Sequence, residues 1–113
     1  MDFSQDLIRG SIIPIVLALL KERPMYGYEM VKVVNARTGG RFEWREGTLY
    51  PALHKLEADK MVRSKWEAVT QGPGAGKSRK YYYLTKKGLK EYAHRAEEWK
   101  EFSMAVNACI LGG

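Results

Sequence analysis

At 113 residues with a net charge of +6, the chain is one domain, or one domain with an appended element, and its basic balance favours an anionic partner. Hydrophobic content of 45% and charged content of 28% are ordinary for a soluble globular protein. The single cysteine, Cys109, excludes an intrachain disulfide framework and a thiolate-rich metal site, and its apolar helical setting reads as a core or interface thiol.

The start Met1-Asp2-Phe3-Ser4-Gln5-Asp6 has no basic n-region, and the apolar run Ile12–Leu20 is too short to span a bilayer. A cytoplasmic location without membrane contact is the expectation. Ser11 to Lys21 reads as a buried helix, with Pro14 near its start and Arg23-Pro24 ending it. A short helical turn over Ser4–Arg9 precedes it. A second helix runs from Tyr26 or Gly27 to Ala36, with Tyr28, Val31 and Val34 or Asn35 at helical spacing, and Thr38-Gly39-Gly40 closes it. Phe42 and Trp44 then pin the following loop to the core.

The third helix, residues 47–59, is the most informative stretch. At about 100° per residue, Leu49, Ala52, Leu53 and Leu56 fall on one buried stripe. Pro51, His54 and Lys55 lie opposite, with Thr48 and Tyr50 on the flanks. Thr48 reads as the N-cap, and Pro51 is tolerated if it stays in the first turn, where its missing N–H has no intrahelical partner. A short helix that grips a core with leucines and offers Thr, Tyr, His and Lys outward reads as a recognition helix for DNA.

A hairpin follows, over residues 61–85. Met61–Glu67 and Arg79–Leu84 are β-branched and aromatic runs, separated by Gln71-Gly72-Pro73-Gly74-Ala75-Gly76. Alternation sends Tyr81 and Tyr83 to one face and Lys80, Tyr82 and Leu84 to the other. Residues 60–90 hold nine Lys or Arg against Glu67 alone, so the hairpin carries the strongest positive density of the chain. The stretch Gly72–Ser78 superficially suggests a phosphate-binding P-loop, but Gln71 stands where the first glycine is required. A strand pattern also follows Lys77-Ser78, where a P-loop needs a helix. The segment reads instead as a wing tip. Three helices and a hairpin make a mainly α fold with a small β-hairpin, an α+β winged helix-turn-helix over residues 1–85.

Thr85-Lys86-Lys87-Gly88 opens a fourth helix to about Ile110, so residues 86–113 form a C-terminal dimerisation helix. Its stripe Tyr92, Ala96, Trp99, Ser103, Val106, Ile110 has little chain left to cover it. A partner helix in a homodimer is the favoured reading, against packing on its own domain. Ala96 and Ser103 are small and leave room beside Trp99. That tryptophan is therefore either a packing unit or, with Tyr92, Ala96 and Ser103, a platform for a planar aromatic ligand.

Function at this point is sequence-specific DNA binding by a homodimer. Thr48, Tyr50, His54 and Lys55 contact bases or flanking phosphates, Tyr26 and Tyr28 bind the backbone beside the second helix's N-terminus, and Lys77, Arg79 and Lys80 serve the wing. The rivals are a winged-helix RNA-binding protein and a protein-interaction module. His54 and His94 sit on different helices without a carboxylate or thiol at a telling spacing, so neither an enzyme nor a metal or other cofactor is expected.

These residues resemble the PadR-like transcriptional regulators. The resemblance rests on Leu7-Ile8-Arg9-Gly10-Ser11, Leu17-Ala18-Leu19-Leu20, Tyr26-Gly27-Tyr28-Glu29, Gly47-Thr48-Leu49-Tyr50-Pro51-Ala52-Leu53 with Leu56-Glu57, and Tyr81-Tyr82-Tyr83-Leu84-Thr85 with Gly88. It implies a homodimeric winged-helix repressor of the short-tailed type, whose last helix packs against the partner, partly on the partner's first helix. In some members a tryptophan matching Trp99 stacks planar drugs between the subunits. Met25, where the family usually carries histidine or a polar residue, and the Gly/Pro-rich wing tip depart from the pattern.

Overall fold

A computed structural model describes residues 2–112. The elements in order are α1 (Gln5–Glu22), β1 (Met25–Tyr26), α2 (Gly27–Arg37), α3 (Glu46–Ala58), β2 (Val62–Ala68), β3 (Ser78–Leu84) and α4 (Lys86–Ile110). The expected mainly α architecture with a small sheet is what the chain adopts. The sheet, however, has three antiparallel strands in the order β1-β3-β2, not two. Met25 pairs with Tyr82 and Tyr26 with Tyr81, while β2 and β3 run in register from Val62–Leu84 to Ala68–Ser78.

Two helix starts differ from the sequence reading, and proline is the reason both times. The turn over residues 4–9 and the helix from Ser11 are one continuous α1, with Pro14 well inside it. In α3 the N-cap is Arg45, without a side-chain cap, and not Thr48. The amides of Thr48 and Leu49 already bond to the Arg45 carbonyl, at 3.0 and 3.1 Å. Pro51 therefore lies beyond the first turn. A helical proline presses its ring on the carbonyl four residues earlier. That residue is Gly10 for Pro14 and Gly47 for Pro51, and a Cβ at either glycine would meet nothing within 4 Å.

The core is formed by Ile12, Val16, Leu17 and Leu20 of α1, Met30, Val31 and Val34 of α2, and Leu49, Leu53 and Leu56 of α3, closed by Met25, Val62 and Tyr82 of the sheet. Tyr28 is not on the buried stripe of α2; it is exposed, and Met30 takes the inward place. Met25, out of pattern by resemblance, is fully buried as the partner of Tyr82. The loop after α2 is pinned as expected. Trp44 is buried and Phe42 packs on the core, while Asn35 accepts the Trp44 amide at 3.1 Å and donates to its carbonyl at 3.5 Å.

The end of α3 is held by the start of α4. Thr85 caps α4 by accepting the Gly88 amide at 3.0 Å, and its hydroxyl reaches the Lys60 and Met61 carbonyls at 2.8 and 3.0 Å. Lys87 donates to the Asp59 carbonyl at 2.8 Å. Gly88 is buried so tightly that a Cβ there would drive into the Met61 carbonyl oxygen. Residue 85 is thus a tight junction, not a loose linker.

Candidate nucleic-acid interface

The surface of α3 follows from its period. With Leu49, Leu53 and Leu56 buried, His54 and Lys55 are left exposed, and Lys55 pairs loosely with Asp59 at 3.5 Å. Thr48 is half-buried in the first turn. Tyr50 is not presented outward as the sequence suggested. It packs on the core and leans toward the start of α2, where a Cβ on Gly27 would stand 2.9 Å from its hydroxyl. The lack of a Cβ at Gly27, between Tyr26 and Tyr28, leaves the Tyr50 hydroxyl its place against the start of α2. Burial, then the Glu46 charge, raises the Tyr50 phenol above its usual pKa, so it stays a neutral hydrogen-bonding group at physiological pH.

At the start of α2 the N-cap Tyr26 provides no side-chain bond to the first amides. Tyr28 is exposed beside them, with the Lys32 ammonium 5.6 Å from its ring centre. A helix N-terminus with free amides favours anions. Tyr26 itself lies in β1, edge-on to Tyr81 at 5.5 Å.

The wing tip is ordered by its glycines. Gly72, Gly74 and Gly76 all take positive φ, and bonds such as Val69 N–H to Lys77 O at 2.8 Å and Gly76 N–H to Val69 O at 2.9 Å close the turn. Arg79, expected as a phosphate contact, is engaged within the wing. Its guanidinium stacks 4.4 Å from the Tyr26 ring centre and donates to the Pro73 carbonyl at 3.1 Å. Lys77 is exposed at the base of the tip, and Lys80 is half-buried with its ammonium 5.7 Å from the Tyr82 ring centre.

On the other side of the subunit, Trp99 of α4 is 47% exposed and borders three hollows against α1. One, of about 390 Å³, brings Tyr92, Ala96 and Trp99 together with Pro14, Ile15 and Phe42. A second, of about 490 Å³, adds Leu7, Arg95, Glu98 and Phe102. Ser103 lines neither; its hydroxyl bonds to the Lys100 carbonyl in its own helix. Phe42 and Pro14, which sequence reasoning did not connect with Trp99, reach the site only through the tertiary fold. Phe102 was legible, being three residues along the same helix. Cys109 is exposed, which removes the core reading of that thiol. Among the described residues no helix is long and apolar enough to cross a membrane, and no cluster of His, Cys, Asp and Glu could hold a metal ion.

Comparisons with known proteins bear on the same architecture. Residues 16–94 match the model of the transcriptional regulator PadR-like family. An uncharacterized protein of Lysinibacillus sphaericus is 33% identical over 107 residues, covering 95% of this chain and 94% of its own. A solved transcriptional regulator from Clostridium thermocellum superposes with a TM-score of 0.83 at 33% identity, covering 96% of this chain and 98% of that one. A PadR-like transcriptional regulator from Bacillus cereus gives 0.79 at 28% identity, covering 96% and 100%.

Proposed function

This chain belongs to the PadR-like family of transcriptional regulators, and from that membership we propose that it is a homodimeric repressor of a palindromic operator. The observation that carries the reading is α3. It commits Leu49, Leu53 and Leu56 to the core and leaves His54 and Lys55 exposed, flanked by the open start of α2 and a glycine-tipped basic wing. Residues 1–85 then form the DNA-binding unit and 86–113 the dimerisation helix. His54 and Lys55 read bases or adjoining phosphates in the major groove, with Thr48 beside them. Tyr28 and the α2 amides hold the backbone; Lys77 and Lys80 serve the wing. Tyr26, Tyr50 and Arg79 act one step back, by fixing the angle between α2, α3 and the wing.

Two such units need a fixed separation of roughly one helical turn of DNA, about 34 Å, or a related spacing. The exposed stripe of α4 supplies a surface for that pairing. A planar aromatic effector beside Trp99, Tyr92 and Ala96 would shift the spacing to the extent that it binds one arrangement better than the other. Because Thr85, Lys87 and Gly88 clasp the α3–β2 turn, any tilt of α4 is felt at α3 and the wing.

The test is anisotropy of a labelled duplex carrying the region upstream of the protein's own gene, against the matching RNA and a scrambled duplex. Preference for the upstream duplex, with affinity falling steeply as salt rises, supports the reading. Equal binding of RNA, or none of any nucleic acid, overturns it. For the effector, planar aromatic dyes without DNA should quench tryptophan fluorescence in the parent protein. Trp99→Ala should abolish their binding, and undiminished dye binding by that variant removes the ligand from this site.

A further inference from the structure

Trp66 is a large apolar side chain on the DNA-facing half that the subunit leaves uncovered, at 66% exposure. Its surroundings follow from strand register. Val62, Ser64, Trp66 and Ala68 of β2 share a face and stand opposite Leu84, Tyr82, Lys80 and Ser78 of β3. That face is the one turned to α3, since Val62 and Tyr82 are buried and the Ser64 hydroxyl donates to Glu57 of α3 at 2.5 Å. Two residues beyond Ser64 toward the tip, the face leaves the core, and there stands Trp66 with Lys80 across from it.

Apart from Glu57 of α3, which Ser64 engages, the charge of this flank is one-sided. Between Arg63 and Lys80 the sole acid is Glu67, and it lies on the opposite face, where the Tyr83 hydroxyl and Lys65 engage it. On the α3-facing side Trp66 and Lys80 therefore meet no carboxylate from the wing. The next pair toward the tip, Ala68 and Ser78, is small, so a backbone can approach closely. The hollows that gather around Trp99 involve no residue of β2 or β3, so Trp66 is no part of that surface.

We propose that Trp66, with Lys80, is a sugar–phosphate contact for duplex DNA on the inner flank of the wing. The indole lies along a deoxyribose and donates its N–H to a phosphate oxygen, while the Lys80 ammonium neutralises a neighbouring phosphate. An amphipathic ring suits a surface that is apolar at the sugar and anionic beside it. The contact carries no base information, so it strengthens binding to all duplexes alike. The assignment rests on the DNA-binding reading above and extends it to a residue outside the set derived from the sequence.

The experiment uses a labelled mixed-sequence duplex and the full chain. Trp66→Ala should weaken binding about tenfold with an unchanged salt slope, because it removes apolar contact and not charge. Lys80→Ala should lower the slope by about one. Trp66→Phe, which keeps a ring but loses the N–H, should fall between parent and alanine variant. In a Trp99→Phe background the remaining tryptophans are Trp66 and the buried Trp44, so acrylamide quenching reports Trp66. Quenching should be strong in the free protein and suppressed in the complex. Duplex binding that leaves Trp66 equally quenchable, with parent-like affinity of Trp66→Ala, overturns the assignment. A change of mass in light scattering for Trp66→Ala also overturns it, by making the indole a protein contact. If the parent binds no duplex, both readings fall together; if it binds while Trp66 stays open to acrylamide, only this one does.

Discussion

Lys60 ends α3 in a conformation that favours glycine. Its φ is 61°, and the reversal is locked by Lys60 N–H to Glu57 O at 3.0 Å and Met61 N–H to Leu56 O at 2.9 Å, a glycine-type helix end. A side chain in the left-handed region costs about 1 kcal/mol, partly offset by the lower unfolded-state entropy of a non-glycine residue. Lys60→Gly should therefore stabilise the protein by about 0.5 kcal/mol, read as a rise in the urea midpoint at unchanged m-value. A fall in the midpoint would mean that the Lys60 side chain makes a contact worth more than the strain. The same position shows a limit of sequence reading. Ala58-Asp59-Lys60 was recognisable as a helix end, but the Thr85 bonds that hold the Lys60 and Met61 carbonyls after the reversal are tertiary. Tyr50 is a similar case. Its place on the helix was legible, whereas its turn toward Gly27 depends on how α2 meets α3.

At the scale of elements, what the sequence shows is periodicity. The stripe Leu49, Leu53, Leu56 and the long α4 were legible because many residues repeat the same signal. β1 was not, since two residues have no period and Met25–Tyr26 are a strand only by virtue of Tyr81 and Tyr82. The proline rule misplaced two helix starts because both prolines lie beyond the first turn of helices that begin several residues earlier. The junction of α3, β2 and α4 was hidden for another reason: Thr85 reads as an ordinary N-cap, and only the fold shows it also binding the Lys60 and Met61 carbonyls. Thr85→Ala should cost about 2 kcal/mol, a lost cap plus one lost hydroxyl bond shared between two carbonyls. Gly88→Ala should cost more, because backbone must move to admit a Cβ against the Met61 carbonyl. Thermal denaturation followed at 222 nm checks the order. If Gly88→Ala is the milder of the two, α4 is not pressed on the turn as described.

The whole molecule is 55 Å in its longest dimension and 21 Å in its shortest, because α4 extends past the domain that it caps. Along α4, Trp99 is 47% exposed, Phe102 59% and Ile110 74%, and at about 100° per residue the three fall within one arc of about 80°. Soluble monomers seldom leave a run of large apolar side chains open, so this surface asks for a partner. The proposed partner is a second copy, and the consequence is separable from folding. Side chains already exposed in the subunit contribute little to its stability, so Phe102→Glu with Ile110→Glu should leave the thermal midpoint of a monomer nearly intact. Association should be lost, as charges cannot be buried unpaired across the pairing surface. Binding to a palindromic operator should then fall by about a hundredfold, since the second half-site is no longer delivered at high effective concentration. Affinity for a single half-site should stay close to that of the parent subunit. Light scattering and anisotropy on the two duplexes read the outcomes. A double variant that remains dimeric would place the pairing surface elsewhere, and one that is monomeric yet holds the palindrome as tightly as the parent would show that the two recognition helices do not act as a pair.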